Sequence, residues 1–232
     1  MPAVGKVTTN GMRISDAVRS DILNARWVPG GKLQPATLAD LYQTSTTVIR
    51  EALTLLAGDG LVSIKPNRGF FVPELNVREL QDLTELRCIT EALASGLAIE
   101  RGDSTWETDL VAAHYRLARI PRHTSEDSTH LSEEWVAAHR GFHEALLRAS
   151  GSPVINHLAS NLADHTALYR RWAALSPVSA KRDIDAEHQA ILDAALARDA
   201  PLTASLLRTH YEETVNVVLA AGLAHESKSP RH

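Results

Sequence analysis

The sequence predicts a mainly α fold in two parts, an N-terminal winged helix-turn-helix followed by an all-helical antiparallel bundle. Three observations predict it. Between Leu38 and Val72 the chain reads as a helix, a tight turn, a second helix with a polar outer face and a short two-stranded wing. From Asn76 onward apolar residues recur at helical spacing almost to the C-terminus, with no strand-like alternation in competition. The 232 residues are also enough to build two cores.

The elements follow in order. Within Ala36–Tyr42, Leu38 and Leu41 fall three apart. Beyond the break at Gln43-Thr44, residues Ile49, Ala52, Leu53 and Leu56 repeat at helical spacing, so both helices have one face for a shared core. Ser45 is placed as the N-cap of the second helix, and Thr46, Thr47, Arg50 and Thr54 point away from its apolar stripe. Short hydroxyls and one Arg on such a face have the size and the donors to enter a major groove. Gly58-Asp59-Gly60 ends the helix, Leu61–Ile64 reads as a strand, Lys65-Pro66-Asn67-Arg68-Gly69 as a turn and Phe70–Val72 as the returning strand. Lys65, Arg68 and Gly69 then form a wing tip suited to phosphate or minor-groove contact.

Pro73–Asn76 is the natural hinge, so the expected division is a winged domain at 1–73, a linker at 74–77, a helical domain at 78–224 and a disordered polar tail at 225–232. Asn76 with Glu79 makes an N-terminal capping signal. Helices are expected near 77–101, 104–119, 132–150, 153–174, 179–198 and 201–222, with the loop Ile120–His130 between the second and third. Pro201 suits the first turn of the last helix, where its missing N–H costs nothing.

Composition narrows the class. The first 75 residues hold eight Lys/Arg against six Asp/Glu and the remainder sixteen against twenty-two, a split too mild to select a nucleic-acid partner by charge alone. No apolar run approaches a membrane span and Met1–Lys6 lacks a signal-peptide pattern, so the expectation is a cytoplasmic protein with no membrane partner. The single Cys88 cannot form an internal disulfide and reads as a small buried helix residue rather than a redox sensor.

Four histidines carry the chemistry of the second part. His139 and His143, four apart, share one helix face, while His188 and His210 come from two later helices. Antiparallel helices bring such residues together in bundle cores, which is how metal sites in helical proteins are built. The spacing alone is weak evidence among eleven histidines, and solvated or hydrogen-bonded core histidines are the alternative.

Leu38-Ala39, Ser45, Thr47, Arg50-Glu51-Ala52-Leu53, Leu56, Gly60-Leu61-Val62 and Arg68-Gly69 together resemble the N-terminal domain of GntR-type bacterial transcription regulators. Glu85-Leu86-Arg87 with Glu91-Ala92, Phe142-His143-Glu144-Ala145-Leu146 with Ala149-Ser150-Gly151, Glu187-His188 and His210 resemble the all-helical FCD effector domain of the FadR subfamily, here over about residues 78–223. The resemblance implies binding to double-stranded, palindromic operator DNA as a homodimer, through Ser45, Thr46, Thr47, Arg50, Lys65, Arg68 and Gly69. It also implies a divalent ion held by His143, His188 and His210. Two departures concern the winged part: Thr46 stands where family members usually have Arg, and Gln43 where they have Gly. The missing Arg removes a contact worth roughly 1–3 kcal/mol. In the helical part, His139 takes the position of an Asp ligand. An imidazole in place of an oxygen anion shifts preference from Mg²⁺ or Mn²⁺ towards a divalent transition metal, with Zn²⁺ or Ni²⁺ favoured.

Arg87 has two readings. Its helix lines the ligand cavity in the proteins it resembles, where a guanidinium holds a carboxylate effector by two parallel hydrogen bonds; the alternative is a helix salt bridge to Glu91, four residues on. Tyr169, Arg170 and Arg171 are weaker effector candidates. Trp27, Trp106, Trp135 and Trp172 read as packing residues. The function expected is a DNA-binding repressor, not an enzyme, whose operator affinity answers to a small organic acid at the metal. The competing readings are a helical metal hydrolase with Glu144 or Glu187 as general base, and a DNA-binding protein with a purely structural metal site. Those glutamates adjoin histidines in sequence, so they point about 100° away from them on the helix.

Overall fold

The structure, a computed structural model, describes residues 5–74, 76–123, 131–173 and 182–220, without the side chains of 5–11 and 171–173. Chain contacts divide it into two compact units, meeting between residues 75 and 76. The expected tail at 225–232 lies outside the described residues, as do Met1–Val4 and the side chains of Arg171 and Trp172.

The first unit runs α1 (Gly5–Leu23), β1 (Lys32–Leu33), α2 (Pro35–Leu41), α3 (Thr46–Gly58), β2 (Ser63–Lys65) and β3 (Gly69–Phe71). Ser45 Oγ accepts from the backbone N–H of Val48 at 3.3 Å, satisfying one of the free donors that open α3. Gln43, in the turn before it, has φ +50°, where a side chain costs strain that glycine avoids. Ile49, Ala52, Leu53 and Leu56 of α3 are buried. Ile14, Val18 and Ile22 of α1 and Leu38 of α2 are buried as well, and α1 and α2 both pack against α3.

Two features differ from the sequence reading. α1 was not among the expected elements, although Ile14, Val18 and Ile22 recur every four residues. The wing is also a three-stranded antiparallel sheet in the order β1-β3-β2, not a two-stranded hairpin. Lys32 pairs with Phe71 and Leu33 with Phe70 on one side of β3, and Ile64 pairs with Phe70 on the other. The added strand satisfies the outer edge of β3, which a lone hairpin would leave open.

The second unit is helical: α4 (Val77–Arg101), α5 (Ser104–Arg119), α6 (Glu133–Leu147), α7 (Pro153–Ala173), α8 (Ile184–Leu196) and α9 (Ala200–Ala220). Caps set the starts. Asn76 Oδ1 accepts from the N–H groups of Arg78 and Glu79, Asp103 caps α5, Ser132 caps α6 and Asp183 caps α8. The expected helix 132–150 ends its α-helical part at Leu147 and closes in a 3₁₀ turn, Arg148–Ser150, before Gly151 at φ +71°. The expected helix 179–198 starts at Ile184, and residues 179–181 lie outside the described part. α4 packs against α7 and α9, α5 against α6 and α8, and α8 against α9. Cys88, Ala98, Trp106, Leu110, Phe142, Leu146, Ile191 and Leu207 are among the buried side chains of their common core. No helix among the described residues is long and apolar enough to cross a membrane.

Candidate functional site

The imidazoles of His139 and His143 on α6, His188 on α8 and His210 on α9 meet in the interior of the bundle. Each is nearly inaccessible, and one nitrogen from each lies within 4.8 Å of the chosen nitrogens of the other three. Ring centroids are 4.7 Å apart for His139–His143, 4.9 Å for His139–His188 and 4.8 Å for His188–His210. The i, i+4 spacing on α6 puts two rings on one face, and the packing of α8 against α9 brings the other two to it.

Burial holds these rings neutral. Desolvation keeps His139 and His143 well below the ordinary histidine range, helped at His139 by the charge of Arg170 and at His143 by its neighbour His210. Burial, then the adjacent His210, pull His188 down to about 2; burial pulls His210 to about 4 against the opposing pull of Glu187. Neutral imidazoles keep their lone pairs for a ligand.

Surrounding groups select the nitrogen that each ring offers. Glu187 Oε2 lies 2.7 Å from His210 Nδ1, so that nitrogen carries the proton and Nε2 is the free donor atom. His143 Nδ1 lies 3.1 Å from the Tyr211 hydroxyl, which itself donates to the buried carboxylate of Glu91. His143 Nε2 is then left buried with no hydrogen-bond partner, as are both ring nitrogens of His188. Orphaned buried nitrogens on α6 and α8, within a cluster that α9 completes, are the mark of a ligand-binding cluster rather than of satisfied core histidines. Four imidazoles with two fixed tautomers fit a first-row transition ion. Such an ion would supply a Lewis-acidic positive charge to the pocket.

Arg87 is engaged elsewhere. Its Nε donates to Glu91 Oε1 at 2.6 Å, one terminal nitrogen donates to Thr166 Oγ1 at 2.8 Å, and its guanidinium stacks 3.9 Å from the Tyr211 ring centroid. The i, i+4 salt bridge is therefore present, fully buried, and it supports the Glu91–Tyr211–His143 chain. Sequence reasoning missed Tyr211 and Glu91 as supports of the site; the i, i+4 pair Arg87–Glu91 was the available signal. It also missed where Glu187 points. That carboxylate lies off the face of its neighbour His188, yet it reaches His210 on another helix and is gripped by Arg182 through two hydrogen bonds of 2.6 and 2.5 Å. Glu144 pairs with Arg140 on the exposed side of α6, so neither glutamate stands free as a general base. Tyr169 bonds to the backbone of Asn76, and Trp135 stacks on His139 at 4.9 Å.

In the winged unit, Ser45, Thr46, Thr47, Arg50 and Thr54 are exposed along one face of α3, and Ser45 also serves as its cap. Arg68 is exposed at the wing, and Gly69 has φ +99°. Lys65 is not free there: its ammonium lies 2.8 Å from Glu74 Oε1 and 4.9 Å from the Phe71 ring centroid.

Comparison with known proteins completes the picture. Residues 11–72 match the family model of bacterial regulatory proteins of the gntR family, and residues 82–213 match the FCD domain. The chain is 36% identical to the HTH-type transcriptional regulator BphR of Paraburkholderia xenovorans, over 89% of this chain and 84% of that protein. It is 29% identical to the HTH-type transcriptional repressor GlaR of Escherichia coli, over 88% and 93%. Among solved structures it is similar in fold to McbR/YncC of E. coli, with a TM-score of 0.77 at 20% identity over 90% of this chain and 97% of that one.

Proposed function

The chain belongs to the GntR family of bacterial transcription regulators and carries an FCD domain; from that membership we propose that it is a repressor whose grip on DNA is governed by a small organic acid bound at a transition-metal site. The observation that carries this reading is the buried, neutral cluster His139, His143, His188 and His210, in which His143 and His188 keep buried nitrogens with no hydrogen-bond partner. An all-imidazole donor set favours Zn²⁺ or Ni²⁺, and coordination beyond four would leave room for an effector carboxylate. The GlaR relative is named a repressor, which favours the same sign here.

On DNA, Thr46, Thr47 and Arg50 of α3 would face base edges in the major groove, with the Ser45 end of the helix and Arg68-Gly69 of the wing against phosphate. Lys65 would join them only by leaving Glu74. Such regulators typically dimerise, and α4 offers a face for it: Leu86, Ile89 and Leu93 are exposed at helical spacing although the opposite side of the helix is buried. Two winged units would then address two half-sites one turn apart. Effector binding would favour one arrangement of the bundle, and operator affinity would fall by the coupling between the two.

The test is a footprint on the intergenic DNA beside the protein's own gene, with protein loaded with Zn²⁺ or Ni²⁺ and protein stripped by chelator. Protection of a short palindrome that Arg50→Ala loses, and that candidate acids relieve only when metal is bound, supports the reading. Absence of bound transition metal in protein purified without chelator, or metal content unaltered by His143→Ala and His188→Ala, sinks its metal half.

A further inference from the structure

The wing carries an acid set against one of its own cations. Lys65 ends β2, and its ammonium donates to Glu74 Oε1 at 2.8 Å while lying 4.9 Å from the centroid of the Phe71 ring. Arg68, on the other side of the turn, is 5.8 Å from the same centroid and exposed. The two cations of the wing therefore differ: one faces solvent, and the other is already engaged. The hydrogen bond from Lys65 holds the Glu74 carboxyl below its ordinary value, so it is fully charged at neutral pH.

The backbone places Glu74 for this contact. Gly30 N–H donates to the carbonyls of Val72 at 3.1 Å and Pro73 at 3.4 Å, and Val72 N–H donates to the carbonyl of Gly31 at 2.8 Å, so the chain entering Glu74 is tied to the Gly30-Gly31 turn. A Cβ at Gly30 would lie 3.3 Å from Glu74 Cγ, tighter than ordinary contact, and the missing side chain leaves the Glu74 stem its path to Lys65. Glu74 stands two residues before Asn76, the cap of α4.

The pair is built to be exchanged. The Lys65 side chain is 34% exposed and that of Glu74 65%, so water screens the attraction and a phosphate can displace the carboxylate. An ammonium is a compact point charge. A phosphate brought to it would stand beside the carboxylate, and two anions on one cation repel. Contact with DNA therefore requires Glu74 to leave.

We propose that Glu74 is an internal competitor of DNA phosphate for Lys65, which couples the wing's hold on the duplex to the position of the chain that leads into α4. A displacement of that chain at Glu74 frees Lys65 and strengthens the contact; a chain seated on the Gly30-Gly31 turn withholds it. The proposal rests on the reading of Lys65 as a DNA contact of the wing.

Fluorescence anisotropy of the full chain on labelled duplex from the intergenic DNA beside its own gene, over a range of salt, tests this with Glu74→Gln, Lys65→Met and the double variant. Glu74→Gln should bind about two- to fivefold more tightly than wild type, with a dependence of log K on log salt steeper by about 0.9, the value of one added phosphate contact. In the Lys65→Met background, Glu74→Gln should change neither quantity. Repulsion of DNA by the Glu74 charge at a distance would persist in that background, so tightening of equal size in both overturns the proposal. Wild-type affinity and slope in Glu74→Gln overturn it as well. Arg50→Ala tells which reading has failed. If it loses the duplex while the Glu74 and Lys65 variants behave as wild type, the winged helix binds DNA and Glu74 has no part in it. If neither the wild-type protein nor Glu74→Gln binds duplex at low salt, the DNA reading falls and the proposal with it.

Discussion

The hydroxyl of Tyr211 stands between a carboxylate and an imidazole, and the direction of its two hydrogen bonds fixes the proton on His143. It donates to Glu91 and receives Nδ1–H of His143, which leaves Nε2 of that ring bare inside the cluster. Tyr211→Phe should therefore weaken metal binding by about 10–100-fold while leaving the helical content intact, as competition with a chromophoric chelator would show. The histidines also set a pH dependence in the metal-free protein. Their folded values lie at about 2 for His188 and about 4 for His210, while the unfolded chain titrates near 6.5. Between those values the unfolded state takes up protons that the folded state refuses, so stability declines as pH falls through 6.5. The slope should approach about 1.4 kcal/mol per pH unit for each such histidine. Urea midpoints measured in chelator from pH 8 to pH 5 should decline steadily; a flat profile would show that the rings are not held neutral by the fold. The residues of the cluster were legible from spacing and resemblance. The relay behind them was not, because Glu91, Tyr211 and His143 lie on three helices with no fixed interval in the chain.

Elements were easier to read where a local signal stops or starts them. Asn76, Asp103 and Ser132 each place an oxygen on the free N–H groups of the helix that follows, and α4, α5 and α6 begin within a residue of their expected positions. Ser45 does the same for α3, so Ser45→Ala should cost the winged unit about 1 kcal/mol in denaturant melts, apart from any effect on DNA. Other elements depend on distant partners. β1 is two residues long and exists only by pairing with β3, a pattern too short for period-two alternation to reveal. α1 buries Ile14, Val18 and Ile22 against the core of α2 and α3, a readable stripe that drew no attention beside the stronger helix-turn-helix signal. α4 exposes Leu86, Ile89 and Leu93 at helical spacing as well as burying its other side, which a helix with one covered side does not need. If the proposed dimer forms through this face, Ile89→Asp should run as a monomer in multi-angle light scattering where the wild-type protein runs as a dimer, with little change in circular dichroism.

At the scale of the whole molecule, the proposed function requires an effector signal to reach the residues where the two units join. Tyr169 precedes Arg170 on α7, and its hydroxyl bonds to the backbone of Asn76, the cap of α4 at that junction. Tyr169→Phe should leave acid affinity within about twofold of wild type while shrinking the effect of the acid on DNA binding; an unchanged effect would mean that coupling runs by another route. Sequence by itself determined the family, the winged helix with its exposed Thr46, Thr47 and Arg50, the helical second part and the identity of the four histidines. Those properties reside in local periodicity, in capping residues and in side chains whose chemistry is the same wherever they sit. Only the tertiary structure decided that Arg87 is spent on Glu91 and that Glu187 serves His210 rather than its neighbour His188. Each is a matter of which helix faces which, and a side chain's partner across a bundle is set by packing rather than by its neighbours in the chain.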